Sequence, residues 1–115
     1  MTEEYYMINL LKFNKKYYKA IADGRKTQTL RNKNKRLETG ETVKAIFPGT
    51  DLECIIQITD TGYKQFKYLN DDDAKLEGYD SLEDLKKELQ EIYPLMMWSD
   101  RLWYYRFKIV DTNVQ

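Results

Sequence analysis

The strongest constraint on the fold is the alternation in the last apolar run, Arg101 to Val110. As a strand it places Leu102, Tyr104 and Arg106 on one face and Trp103, Tyr105, Phe107 and Ile109 on the other. The second set reads as core-facing, and the first is free to line a pocket. The same period of two recurs in Leu52, Cys54, Ile56 and Ile58, which puts Cys54 on an inner face as a packed, protonated thiol. Thr42 to Phe47 is a further strand, stopped by Pro48-Gly49, and Tyr5 to Leu11 is apolar with little alternation, as in a buried strand. Thr content makes Lys26 to Arg31 a short strand, while Tyr63 to Leu69 reads equally as strand continuation or loop.

Three helical segments lie between the strands. Asn14 offers an N-cap to Lys15–Asp23, which Gly24 ends. Asn70 or Asp71 can cap Asp72–Glu77, stopped by Gly78. Ser81 opens a clearer helix with Leu82, Leu85, Leu89 and Ile92 as its apolar stripe and Pro94 at its end. The run Asp71-Asp72-Asp73 reads as solvated carboxylates favoured at a helix start, not as a metal site. Short strands with frequent turn signals point to an α+β domain spanning residues 1–115. It should be a small, strongly curved sheet or barrel of five or six strands carrying two or three short helices.

The chain of 115 residues has no histidine. That excludes Ser-His-Asp and Cys-His catalysis and a histidine-supported zinc site, so chemistry falls to Lys, Tyr, carboxylates, Thr, Ser or Cys54. No metal or cofactor is expected. A single cysteine allows no intramolecular disulfide, the acidic start Met1-Thr2-Glu3-Glu4 is unlike a secretory leader, and no apolar run approaches the ~18–20 residues of a membrane span. A cytoplasmic location and no membrane contact follow as expectations. The formal net charge is zero, but residues 1–50 carry eleven Lys/Arg against five Asp/Glu and residues 51–115 carry eight against fourteen. A basic front suits a local contact with a nucleotide better than wrapping of long duplex.

The basic front centres on Gly24-Arg25-Lys26-Thr27-Gln28-Thr29-Leu30-Arg31. A helix ending in Gly24, the Gly-x-Lys-x-x-x-x-Arg spacing of Gly24, Lys26 and Arg31, and the turn and strand Leu37-Glu38-Thr39-Gly40-Glu41-Thr42-Val43 together resemble an ASCH-domain protein of the PUA-like β-barrel superfamily. Gly-Arg-Lys-Thr-x-Thr-x-Arg, a short helix bearing Glu77, Ile92-Tyr93-Pro94 and a final aromatic strand resemble, more narrowly, the small bacterial N4-acetylcytidine amidohydrolases. The resemblance covers nearly the whole chain. It implies Lys26 as general base, Thr29 as nucleophile and Glu77 as acid, acting on a small nucleoside. Leu95–Arg101, longer and more apolar than in those compact enzymes, departs from the pattern.

The chemistry is coherent with these residue types. A threonine hydroxyl needs an adjacent base, and a lysine serves when burial or neighbouring cations bring its pKa down from ~10.4. Arg25 and Arg31 are the neighbouring cations and suit a developing oxyanion. Tyr63, Trp103 and Tyr104 are candidates to stack on the base. One geometric condition applies: on a regular strand, positions 26 and 29 point to opposite faces, so Lys26 must precede the strand in a bend, a bulge must intervene, or the long lysine stem must reach around. The main alternative is a non-catalytic module binding single-stranded RNA through Arg25, Lys26, Arg31, Lys33, Lys35 and Arg36 with aromatic stacking. A ribonuclease is a further alternative.

Overall fold

The computed structural model describes residues 8–112. Of the expected first strand, Tyr5, Tyr6 and Met7 lie outside the described residues, and the strand β1 comprises Asn9–Lys12. A single 3-10 turn, Lys15–Tyr17, whose Lys16 N–H donates to the Asn14 side chain, leads into α1, Tyr18–Ala22. Strands β2 (Gln28–Arg31), β3 (Thr42–Ile46) and β4 (Glu53–Gln65) follow. Two helices, α2 (Asp71–Leu76) and α3 (Leu82–Ile92), precede β5 (Arg101–Asp111).

The five strands form one sheet in the order β1-β3-β4-β5-β2, with β1 parallel to β3 and every other pairing antiparallel. The sheet curls into a half-barrel. Its curvature comes from the long β4–β5 ribbon, where register shifts at Ile55/Ile56 and Ile58/Asp60 insert extra residues that bend and twist the strand. The segment left open as strand or loop is divided: β4 runs on to Gln65, and a 3-10 turn takes Phe66–Tyr68. Continuation is possible because Gly62 lies directly under the Tyr104 ring of β5. A Cβ there would stand 2.6 Å from the Tyr104 hydroxyl oxygen, so only glycine lets that ring lie across the strand.

The alternation of β5 sorts two cores. Tyr105 and Phe107 join Leu11, Phe13, Ile21, Val43, Phe47, Cys54, Ile56 and Ile58 on the concave side. Leu102 joins Leu30, Phe66, Leu69, Ala74, Leu85 and Leu89 beneath α2 and α3. The face of β5 expected to be free for a pocket is therefore covered by helices. Deleting a buried leucine such as Leu85 or Leu89 would cost about 2–5 kcal/mol. Asp71 and Asp72 are solvated as expected, but Asp73 is buried, because it serves α2 and the sheet together. It closes a capping box with Asn70, pairs with Lys64 Nζ at 2.7 Å and accepts from Gln28 Nε2 at 3.2 Å. Among the described residues no helix is long and apolar enough to cross a membrane.

Candidate active site

The geometric condition on positions 26 and 29 is met by a bend. Lys26 and Thr27 precede β2 and are held by three elements at once: Lys26 N–H donates to Ala20 O in α1, Thr27 N–H to Leu76 O in α2, and Phe107 N–H of β5 to Thr27 O. The regular alternation of a strand does not yet apply at Lys26. Its side chain enters the same cavity as Thr29 and Arg31, which leave β2 on the concave face.

Glu77 reaches that cavity from the end of α2. Tyr79 N–H donates to Ala74 O and Gly78 N–H to Lys75 O, the paired bonds of a helix stop that requires the left-handed φ of +90° at Gly78. A Cβ on Gly78 would also touch Lys26 Cβ at 3.4 Å. The stop thus fixes Glu77 and seats its neighbour against Lys26.

Lys26 Nζ donates to Glu77 Oε1 at 2.7 Å, with the two residues only 4% and 5% exposed. The ammonium also lies 5.1 Å from the Tyr17 ring centroid. Glu77 Oε2 is buried with no hydrogen-bond partner. Burial pushes the Glu77 carboxyl above its usual range, against the opposing pull of Lys26 and Gln28 and with the help of the nearby Asp73 charge. The pair is thus held away from bulk solvent, and each group depends on the other for compensation.

Thr29 Oγ1 accepts from Arg31 Nε at 2.9 Å, not from Lys26. Arg31 is itself locked: Nη2 donates to Lys12 O at 2.9 Å, and the guanidinium lies 4.9 Å from the Phe13 ring centroid. Its Nη1 makes no hydrogen bond to a described residue.

The cavity encloses about 290 Å³, near the lower end of small-molecule sites. Its other wall was not foreseen from sequence. Tyr17, Tyr79 and Glu88 form a chain in which Tyr79 OH donates to Tyr17 OH at 3.4 Å and Tyr17 OH donates to Glu88 Oε2, which also pairs with Lys16 Nζ at 2.7 Å. Burial alone would raise the Glu88 carboxyl, but the bonds from Lys16 and Tyr17 outweigh it and hold the group below its usual value. Burial and the bond to Glu88 push the Tyr17 phenol far above its own. A signal for Glu88 was present: it sits three residues after Leu85 and four before Ile92, a carboxylate on the apolar stripe of α3.

The cavity brings together Lys26, Thr29, Glu77 and Arg31, while Arg25, Tyr63, Trp103 and Tyr104 lie outside it. Arg25 is turned outward into an ion pair with Asp23 at 2.9 Å. Tyr63 is 59% exposed and stacks on Arg101 at 4.1 Å. Tyr104 is committed to Gly62 and to Arg106, whose guanidinium lies 4.7 Å from its ring centroid. Trp103 lines a neighbouring groove with Asn32, Tyr93, Leu95 and Arg101. Leu95 and Met96 also line that groove, so the apolar segment 95–101 contributes to it and not to the cavity.

No protein-family model matches this chain, and no curated protein is similar to it. Solved structures are. A protein of Enterococcus faecalis described as DUF984 superposes with a TM-score of 0.72 at 18% identity, covering 91% of this chain and 77% of its own. The ASCH domain of Lactobacillus crispatus gives 0.71 at 17% identity over 96% of this chain and 86% of its own. ASCH from Zymomonas mobilis gives 0.63 at 12% over 90% and 66%. The chain has the ASCH-domain, PUA-like fold, an α+β arrangement in which five strands curl as a half-barrel and three helices pack on them.

Proposed function

We propose that the chain is an amidohydrolase that removes the acetyl group from N4-acetylcytidine or a closely related N-acylated nucleoside. The observation that carries this reading is the buried Lys26–Glu77 pair standing in one cavity with Thr29 and Arg31. In the neutral form of the pair, the Lys26 amine takes the Thr29 proton while Arg31 Nε favours the developing alkoxide. Oγ1 attacks the acetyl carbon, and the Arg31 guanidinium stabilises the oxyanion. The carbon–nitrogen bond breaks as Glu77 gives its proton to the departing N4, leaving acetyl-Thr29 beside an ammonium–carboxylate pair. Glu77 then takes a proton from water, whose oxygen attacks the acyl carbon. Acetic acid leaves, Lys26 returns its proton to Oγ1, and the neutral pair is restored.

The test is chromatographic, with purified protein and free N4-acetylcytidine, beside Lys26→Ala, Thr29→Ala and Glu77→Ala. Cytidine should appear with the wild-type protein and fall by at least about a hundredfold in each folded variant. Folded wild-type protein that releases no cytidine removes this reading.

A second reading, binding of single-stranded RNA, is favoured by the exposed face where Arg101 lies 4.1 Å from the Tyr63 ring and 5.8 Å from that of Trp103. It predicts affinity for an oligonucleotide that weakens steeply with salt.

A further inference from the structure

The cavity is not electrically balanced. Four cations line it, Lys12, Lys16, Lys26 and Arg31, against two carboxylates, Glu77 and Glu88. Lys26 pairs with Glu77 and Lys16 with Glu88, each at 2.7 Å, so both carboxylates are spent. Lys12 and Arg31 make no ion pair with a described residue. Lys12 is exposed, and water can solvate its ammonium. Arg31 is partly buried, its Nε and Nη2 donate to the neutral oxygens Thr29 Oγ1 and Lys12 O, and its guanidinium lies 4.9 Å from the Phe13 ring centroid. Burial draws the guanidinium below its usual range, against smaller opposing influences that include Tyr93 and the already paired Glu77. A cation withdrawn from water among neutral partners is stabilised by an anion placed beside it.

The surplus charge stands at the nucleophile, since Arg31 Nε donates to Thr29 Oγ1 at 2.9 Å. An anion at Arg31 therefore occupies the place where a substrate's acyl group reacts, and the reaction proposed above makes one there. Water adds to the acyl carbon of acetyl-Thr29, the bond to Oγ1 breaks, and the acetic acid formed passes its proton to solvent, because ordinary carboxyl groups are ionised at neutral pH. We infer that the cavity is a binding site for a small monocarboxylate at Arg31, and that acetate held there after deacylation inhibits the protein by occupying the acyl position. The identity of the natural occupant rests on the amidohydrolase reading; the surplus charge does not. Acetate leaves after cytidine, so it binds the free protein and competes with the amide.

The test follows amide chemical shifts of isotopically labelled protein as chloride is replaced by acetate at fixed ionic strength. Parallel titrations use acetamide, a neutral molecule of the same shape, and inorganic phosphate. Acetate should half-saturate the wild-type protein at about 10 mM or below, the strength of about one charge-assisted pair, and acetamide should bind at least about tenfold more weakly. In Arg31→Gln, folded by circular dichroism, affinity for acetate should fall by about tenfold or more. Acetate that binds no better than acetamide, or that binds Arg31→Gln as well as wild type, overturns the inference. So does phosphate binding more tightly than acetate, which would make the occupant a phosphate-bearing ligand. The comparison of acetate with acetamide needs no variant and decides the matter even if Arg31→Gln does not fold. During turnover of N4-acetylcytidine, the half-saturating concentration of acetate should double KM and leave kcat unchanged, and an unchanged KM overturns the inhibitory role. If the protein hydrolyses no amide yet binds acetate through Arg31, the amidohydrolase reading fails and the carboxylate site stands. If it hydrolyses the amide and binds no acetate, the reverse holds.

Discussion

Lys26→Met isolates what the buried pair costs and supplies. Methionine keeps the apolar length of the side chain but removes the ammonium, leaving the Glu77 carboxylate buried, with Oε2 already lacking a partner. A charge in that position is relieved by taking up a proton. Protonating a carboxyl of ordinary pKa ~4.3 costs about 3.7 kcal/mol at pH 7 and about 1 kcal/mol at pH 5. These values bound the loss of stability. Its pH dependence has a definite sign: burial already pushes Glu77 up, and removing Lys26 removes the leading opposing influence. A carboxyl whose folded pKa lies above its unfolded one binds its proton more tightly when folded, so stability falls as pH rises between the two values. Urea unfolding monitored by tyrosine and tryptophan fluorescence should therefore show Lys26→Met destabilised by about 3–4 kcal/mol at pH 7 and by about 1 kcal/mol at pH 5. The double variant Lys26→Met/Glu77→Leu should return to within about 1–2 kcal/mol of wild type. A loss at pH 7 below about 1 kcal/mol, or the same loss at both pH values, refutes the reasoning.

The other predictions concern Arg31 in the cavity and two positions that fix α2, at whose end Glu77 stands. Arg31→Lys cannot reproduce the fork that holds Thr29 Oγ1 and Lys12 O, and kcat/KM on N4-acetylcytidine should fall by about tenfold or more while the fold persists by circular dichroism. Gly78→Ala forces a side chain into a φ of +90° against Lys26, so the melting temperature should drop by an amount equivalent to about 1–2 kcal/mol. Asp73→Ala strips a buried partner from Lys64 and Gln28 together with the α2 capping box, and denaturant titration should record a loss of about 3 kcal/mol or more.

Much of the fold was legible because alternation and caps are local signals. The faces of β5 were sorted correctly, Cys54 is buried as expected, and Asn70, Gly78 and Ser81 stand where helix signals placed them. Alternation says which residues share a face, however, and not what covers it. Alternation leaves Leu102 and Tyr104 free for a pocket, whereas α2 and α3 pack over that face. The aromatic candidates failed to reach the cavity for the same reason, each being committed to a neighbour distant in sequence: Tyr104 to Gly62, Tyr63 to Arg101. The proximity of Lys26, Thr29 and Glu77 was implied by family resemblance. Its physical basis, a bend at Lys26 tied to the ends of α1 and α2, depends on long-range backbone bonds that no periodicity encodes. Glu88 was the one site residue with a local mark, a charge on an apolar helix face.

The central claim is that Thr29 becomes acylated, and mass spectrometry of protein acid-quenched during turnover of N4-acetylcytidine tests it most directly. The account predicts one added acetyl group, located on the peptide containing Thr29 and absent from Thr29→Ala. Turnover with no acetyl on that peptide, or undiminished turnover by Thr29→Ala, would contradict it.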